Sequence, residues 1–133
     1  MIDQRPTGTT NEQLENVASQ LNIQGFRGVF MRDKLPSFLL PGQECGILNL
    51  DTSLGSGTHW TCWYVSQEGN KFYFDSYGTA IPAELQQYLG KDVLHNDFQI
   101  QAFNSDICGD LCLLVLHMLN CGFSYVDIIL ALI

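Results

Sequence analysis

Residues 108–120, Cys-Gly-Asp-Leu-Cys-Leu-Leu-Val-Leu-His-Met-Leu-Asn, most constrain what this chain can fold into. At helical spacing the segment is apolar on nearly every face, so other elements must enclose it. It is too short to span a bilayer. The 133 residues suffice for one core and leave no room for a second, so this helix is expected at the centre of a single domain, 1–133. An apolar content of 46% against 15% charged residues fits that compact, greasy interior.

The remaining elements follow from periodicity and turn chemistry. Residues 1–9 are polar and read as a flexible lead-in. Thr10 or Asn11 caps a helix whose apolar stripe is Leu14, Val17, Ala18 and Leu21. Gly25 and Gly28 break regular structure, and Pro36, Pro41 and Gly42 predict turns over 29–43. Strands are expected at Glu44–Leu50, His59–Val65 and Lys71–Asp75, the last two joined by the hairpin turn Gln67-Glu-Gly-Asn70. Pro82 opens a helix through Leu89, and Phe98–Phe103 alternates as another strand. Cys121-Gly122 ends the buried helix, and Ser124 with Asp127 resembles a capping box for a last helix, Tyr125–Ile133. The fold class is α+β: a small antiparallel sheet packed with helices, one of them buried and central.

Four residues carry candidate chemistry. The hairpin brings the start of one strand and the end of the next together, so Asp75 can reach the imidazole of His59 across about 5 Å. Such a carboxylate orients the ring and favours its charged form. Cys108 begins the buried helix, where free N–H groups and the helix dipole favour a thiolate. Gly109 leaves room beside it for a substrate backbone. Gln101, seven residues earlier, can join the Cys108 N–H as an oxyanion donor, a role worth roughly 2.7–4 kcal/mol; Gln99 is the competing candidate. A thiol, an imidazole, a carboxylate and an amide are what hydrolysis through a thioester requires. Each also has a plainer reading: a buried structural cysteine, a strand-end histidine, a turn aspartate, a solvent-facing glutamine. Cys45, Cys62 and Cys121 are assigned to the core, as is Cys112 beneath the site. Trp60 and Trp63 are read as core or groove-lining, and His95 and His117 as structural.

Bulk charge narrows the partners. Six basic against fourteen acidic residues give a net charge of -8, which argues against a strong grip on nucleic acid. Five scattered cysteines and no secretory leader point to free thiols in a reducing compartment: an intracellular or virion-type protein, not a secreted one. No cofactor or metal is expected.

In their order, His59, Asp75, Gln101 and Cys108 resemble the adenovirus-type maturation proteases and, more distantly, the Ulp1/SENP deSUMOylating enzymes. The span Gln101-x-x-Asn104-Ser105-x-x-Cys108-Gly109-x-x-Cys112 is similar to the adenoviral active-site segment. Phe74-Asp75-Ser76-Tyr77-Gly78 is similar to the segment where those families place Glu or Asp. Gly28-Val-Phe-Met-Arg-Asp-Lys-Leu-Pro36, Asn49-Leu-Asp51 and Gly57-Thr-His-Trp60 resemble the adenain-like proteases of Polinton/Maverick elements and related DNA viruses. The resemblance runs from about residue 25 to the end. It implies a thiol endopeptidase that cuts capsid or core precursor proteins during particle maturation, with an activating peptide as a candidate partner. Two departures stand out: the chain is shorter than the adenoviral enzyme, and its acidity counts against DNA as a cofactor. An isopeptidase acting on ubiquitin-like tails uses the same chemistry. A zinc-stabilised interaction module on Cys108, Cys112, His117 and Cys121 is the rival from another class, with its ligands set unusually inside an apolar helix.

Overall fold

The computed structural model describes residues 10–51, 59–100 and 107–133. The first helix, α1 (Asn11–Gln20), opens with a reciprocal cap: the Gln13 N–H donates to the Thr10 hydroxyl, and the Thr10 N–H donates to the Gln13 side chain. Leu14 and Ala18 are buried while Val17 is exposed, so the packed stripe is narrower than periodicity suggests.

Among the described residues, five strands lie side by side in chain order: β1 (Phe26–Met31), β2 (Glu44–Asn49), β3 (Trp60–Val65), β4 (Lys71–Phe74) and β5 (Val93–His95). The α+β class holds, but the sheet is mixed. Its centre, β2–β3–β4, is antiparallel, whereas β1–β2 and β4–β5 are parallel. Parallel neighbours need a crossover; α2 (Ala83–Leu89) supplies it between β4 and β5, and the irregular stretch 32–43 supplies it between β1 and β2.

Both edge strands depart from the sequence reading. β1 runs through Gly28, whose φ of 132° accompanies a register slip between Phe26 and Val29. That glycine marks a bulge inside a strand, not the end of regular structure. The strand expected at Phe98–Phe103 is not formed at 98–100, and its remainder lies outside the described residues. Pairing occurs earlier, at Val93–His95, where β5 aligns with β4.

Strand alternation sorts the interior into two layers. Cys45, Ile47, Cys62, Tyr64 and Phe74 join Leu14 of α1, Leu116 of α3 (Cys108–Asn120) and Ile128 of α4 (Tyr125–Leu132) in one cluster. Leu48, Trp63, Val65 and Tyr73 join Leu85 and Leu89 of α2 in another. α3 is largely enclosed as expected, with Asp110 and Leu114 on its solvent strip. No described helix is long and apolar enough to cross a membrane.

Two details lock this frame. Gly46 sits against Trp63, where an added Cβ would lie 2.3 Å from the indole Cη2. The indole N–H of Trp63 donates to Glu44, 2.9 Å away. That fully buried carboxylate also accepts from Arg27, the Tyr88 hydroxyl and the Leu40 N–H, tying β1, β2, β3 and α2 together. On the other side, Ser124 caps α4 by accepting from the Asp127 N–H. The Tyr125 hydroxyl then donates to the Tyr73 carbonyl at 2.6 Å, anchoring α4 under the end of β4.

Candidate active site

His59 immediately precedes β3 and Asp75 immediately follows β4. Cys62 pairs with Phe74, so the continued ladder sets Asp75 across from Thr61 and diagonal to His59. The side chains meet: His59 Nε2 lies 2.6 Å from Asp75 Oδ1, with both residues buried.

Asp75 is wholly inaccessible, and an isolated carboxylate there would be expensive. The turn that follows it solves the problem. The N–H of Tyr77 donates to Oδ1 at 2.8 Å, and the N–H and hydroxyl of Thr79 both donate to Oδ2. Burial works against the charge, but His59, Thr79 and Tyr77 outweigh it and hold the carboxyl below its ordinary value. Gly78 makes this turn possible. Its φ is 73°, and a Cβ there would lie 2.4 Å from the Phe98 carbonyl carbon. Asp75 is therefore both a turn residue and an orienting group; the two readings coexist in one geometry. Asn96 brackets the same backbone, accepting from the Asp75 N–H at 3.1 Å and donating to the Asp75 carbonyl.

Cys108 is the first residue of α3, a helix whose preceding residue, Ile107, provides no side-chain cap. Burial opposes ionisation of its thiol, but hydrogen bonding from His59 and from the N–H groups of Trp60 and Gly109 prevails, and its pKa is lowered. His59 responds in the opposite sense. Burial disfavours its charged form, yet Asp75 and Cys108 outweigh that and raise it to about 9. With Nε2 committed to Asp75, the buried Nδ1 has no conventional hydrogen-bond partner and is the atom left for the sulfur. These opposed shifts favour a thiolate–imidazolium pair, braced by a carboxylate. Such a set can attack a carbonyl carbon and then protonate a leaving group.

Of the four candidate residues, His59, Asp75 and Cys108 are brought together; Gln101 lies outside the described residues. Gln99 is exposed. Trp60 is half-buried beside the main core, and Trp63 belongs to the opposite layer. His95 lies on β5, and His117 Nε2 is 3.9 Å from the Sγ of Cys121, which is exposed just past the end of α3 and not in the core as expected. Cys108 and Cys112 are buried. Among the described residues no group of three or more His, Cys, Asp or Glu could hold a metal ion, so the zinc-module ligands do not converge. Burial, with Cys62 next, raises the Cys112 pKa, consistent with an inert thiol beneath the site.

Three contributors were not foreseen from the sequence. Thr79 and Tyr77 belong to the Asx-type turn that Asp75-Ser-Tyr-Gly-Thr signals; Asn96 carries no local signal. Tyr77 adds a further contact: its ring stacks on His59 with centroids 3.7 Å apart and planes 4° apart.

No family model and no curated protein matches the chain. Solved structures do. The crystal structure of ASFV pS273R protease aligns with a TM-score of 0.58 and 17% identity, covering 94% of this chain and 62% of that one. Its selenomethionine form aligns with a TM-score of 0.56 and 16% identity over the same shares. The likeness establishes a shared fold over nearly the whole of this chain, which spans less than two thirds of the protease's length.

Proposed function

We propose that this chain is a cysteine endopeptidase that processes viral or element-encoded precursor proteins during particle maturation. The observation that carries the reading is the 2.6 Å His59–Asp75 contact together with the opposed shifts of His59 and Cys108. The fold shared with ASFV pS273R protease supports it, as do the adenain-like motifs around His59, Asp75 and Cys108.

In this mechanism the Cys108 thiolate attacks the scissile carbonyl carbon. The oxyanion that forms is held by N–H groups at the start of α3 and by the Gln101 side chain. His59, charged and held by Asp75, gives its proton to the leaving amine as the C–N bond breaks, leaving a thioester on Cys108. Neutral His59 then takes a proton from water, whose oxygen attacks the thioester; the acid product leaves and the thiolate–imidazolium pair is restored. No metal or organic cofactor enters these steps. The substrate is a polypeptide inside the host cell or assembling particle, and a separate activating peptide is compatible with the chemistry.

Cys108→Ala tests the reading. The variant should lose cleavage of a peptide library and labelling of residue 108 by iodoacetamide while keeping its circular-dichroism spectrum. Undiminished cleavage by that variant would falsify the mechanism. Labelling of Cys108 by a ubiquitin-like aldehyde, with no cleavage of precursor peptides, would move the substrate to the isopeptidase class.

A further inference from the structure

We propose that Tyr77 is a positioning residue for the base, its ring lying flat on His59 and fixing the imidazole between Asp75 and Cys108. The proposal rests on the peptidase reading above and concerns a residue that reading does not use. His59 is approached from three directions. Asp75 takes the Nε2 edge, Cys108 interacts with the ring from the start of α3, and Tyr77 covers one face. Among the described residues, these are the titratable groups that face the imidazole from the elements around it.

The stacking is unusually constrained. Centroids 3.7 Å apart and planes inclined by 4° leave no space for water between the rings, and His59 retains only 4% of its accessible surface. Tyr77 itself is half-buried, so its outer face looks away from the core while its inner face seals the base. It cannot drift away from the acid either: its N–H donates to the same Asp75 oxygen that holds His59. Gly78 and Thr79 then pin the next two residues, one against the Phe98 backbone and one on the other carboxylate oxygen. One residue therefore touches both base and acid.

A phenol face carries negative charge density, so it favours a cation laid against it. Tyr77 thus does two things: it keeps the ring from rotating about its Cβ bond, and it favours imidazolium over imidazole. Phenylalanine retains both properties; leucine retains bulk and loses the π face.

The test compares the parent with Tyr77→Phe and Tyr77→Leu in two measurements. The first is the pH dependence of kcat/KM and of iodoacetamide inactivation. The second is the NMR titration of the His59 ring in a Cys108→Ala background, which needs no turnover. Tyr77→Leu should lose about three- to thirtyfold in kcat with little change in KM, and its His59 titration should move to lower pH. Tyr77→Phe should match the parent in both. An unchanged His59 titration in Tyr77→Leu overturns the proposal, as does a Tyr77→Phe variant as impaired as Tyr77→Leu. A parent whose Cys108 shows no thiolate reactivity defeats the peptidase reading instead, and the NMR titration still reports on the stack.

Discussion

Asp75 illustrates how one side chain can satisfy two demands that a sequence presents as alternatives. Its turn partners, the Tyr77 and Thr79 N–H groups, are what keep a buried carboxylate charged, and the charged carboxylate is what keeps His59 protonated. Asp75→Asn breaks the second link. An amide cannot neutralise the imidazolium, so kcat should fall on the order of 10²- to 10⁴-fold. The alkaline limb of the activity profile should also shift. In the parent, activity should decline as pH rises through about 9, where His59 loses the proton it gives the leaving group. In Asp75→Asn the decline should begin closer to the ordinary imidazole value of 6.5, measurable as kcat against pH. The meeting of His59 with Asp75 was legible because the hairpin register brings them together, and the place of Cys108 because it opens the apolar helix. Asn96 was not, because its contacts with Asp75 span 21 residues and leave no local pattern.

At the scale of elements, strand register decides which side chains meet. The β3–β4 hairpin was readable from alternation and a Gly-Asn turn, and the His59–Asp75 meeting followed from it. The parallel edges were not readable. β1 contains a glycine bulge and β5 has three residues, too few for alternation to register. α3 was the easiest element to place, since no amphipathic alternative exists for such an apolar run. Gly46 leaves no room for a side chain under Trp63, and it argues a prediction of its own. Gly46→Ala puts a methyl inside the indole, forcing β2 and β3 apart and straining the Trp63–Glu44 bond. The expected cost is about 1–3 kcal/mol, read as a lower urea midpoint, with His59–Asp75 chemistry impaired only through the shared strand β3.

Across the whole molecule, stability and pH are linked through the same pair. Taken alone, His59 contributes stability that is complete below 6.5 and is lost as pH rises to about 9. Taken alone, Cys108 contributes stability that is present above its ordinary value of 9.0 and is lost as pH falls toward its lowered folded value. The two contributions have opposite slopes, so below 9.0 the Cys108 one offsets part of the His59 one. The parent's urea midpoint should therefore fall less steeply with rising pH than His59 alone would dictate. In Cys108→Ala that offset disappears and Asp75 alone is left to hold the imidazolium, so the urea midpoint should fall more steeply than the parent's as pH rises above 6.5. A further consequence comes from where the partners sit. The base and acid belong to a hairpin near the middle of the chain, and the sulfur begins a helix more than thirty residues later. A nascent or misfolded copy therefore carries three unremarkable side chains, and its sulfur stays sluggish toward electrophiles. On the peptidase reading, cutting power would arise only when the helix seats against the sheet, shielding the polypeptide from its own half-made siblings.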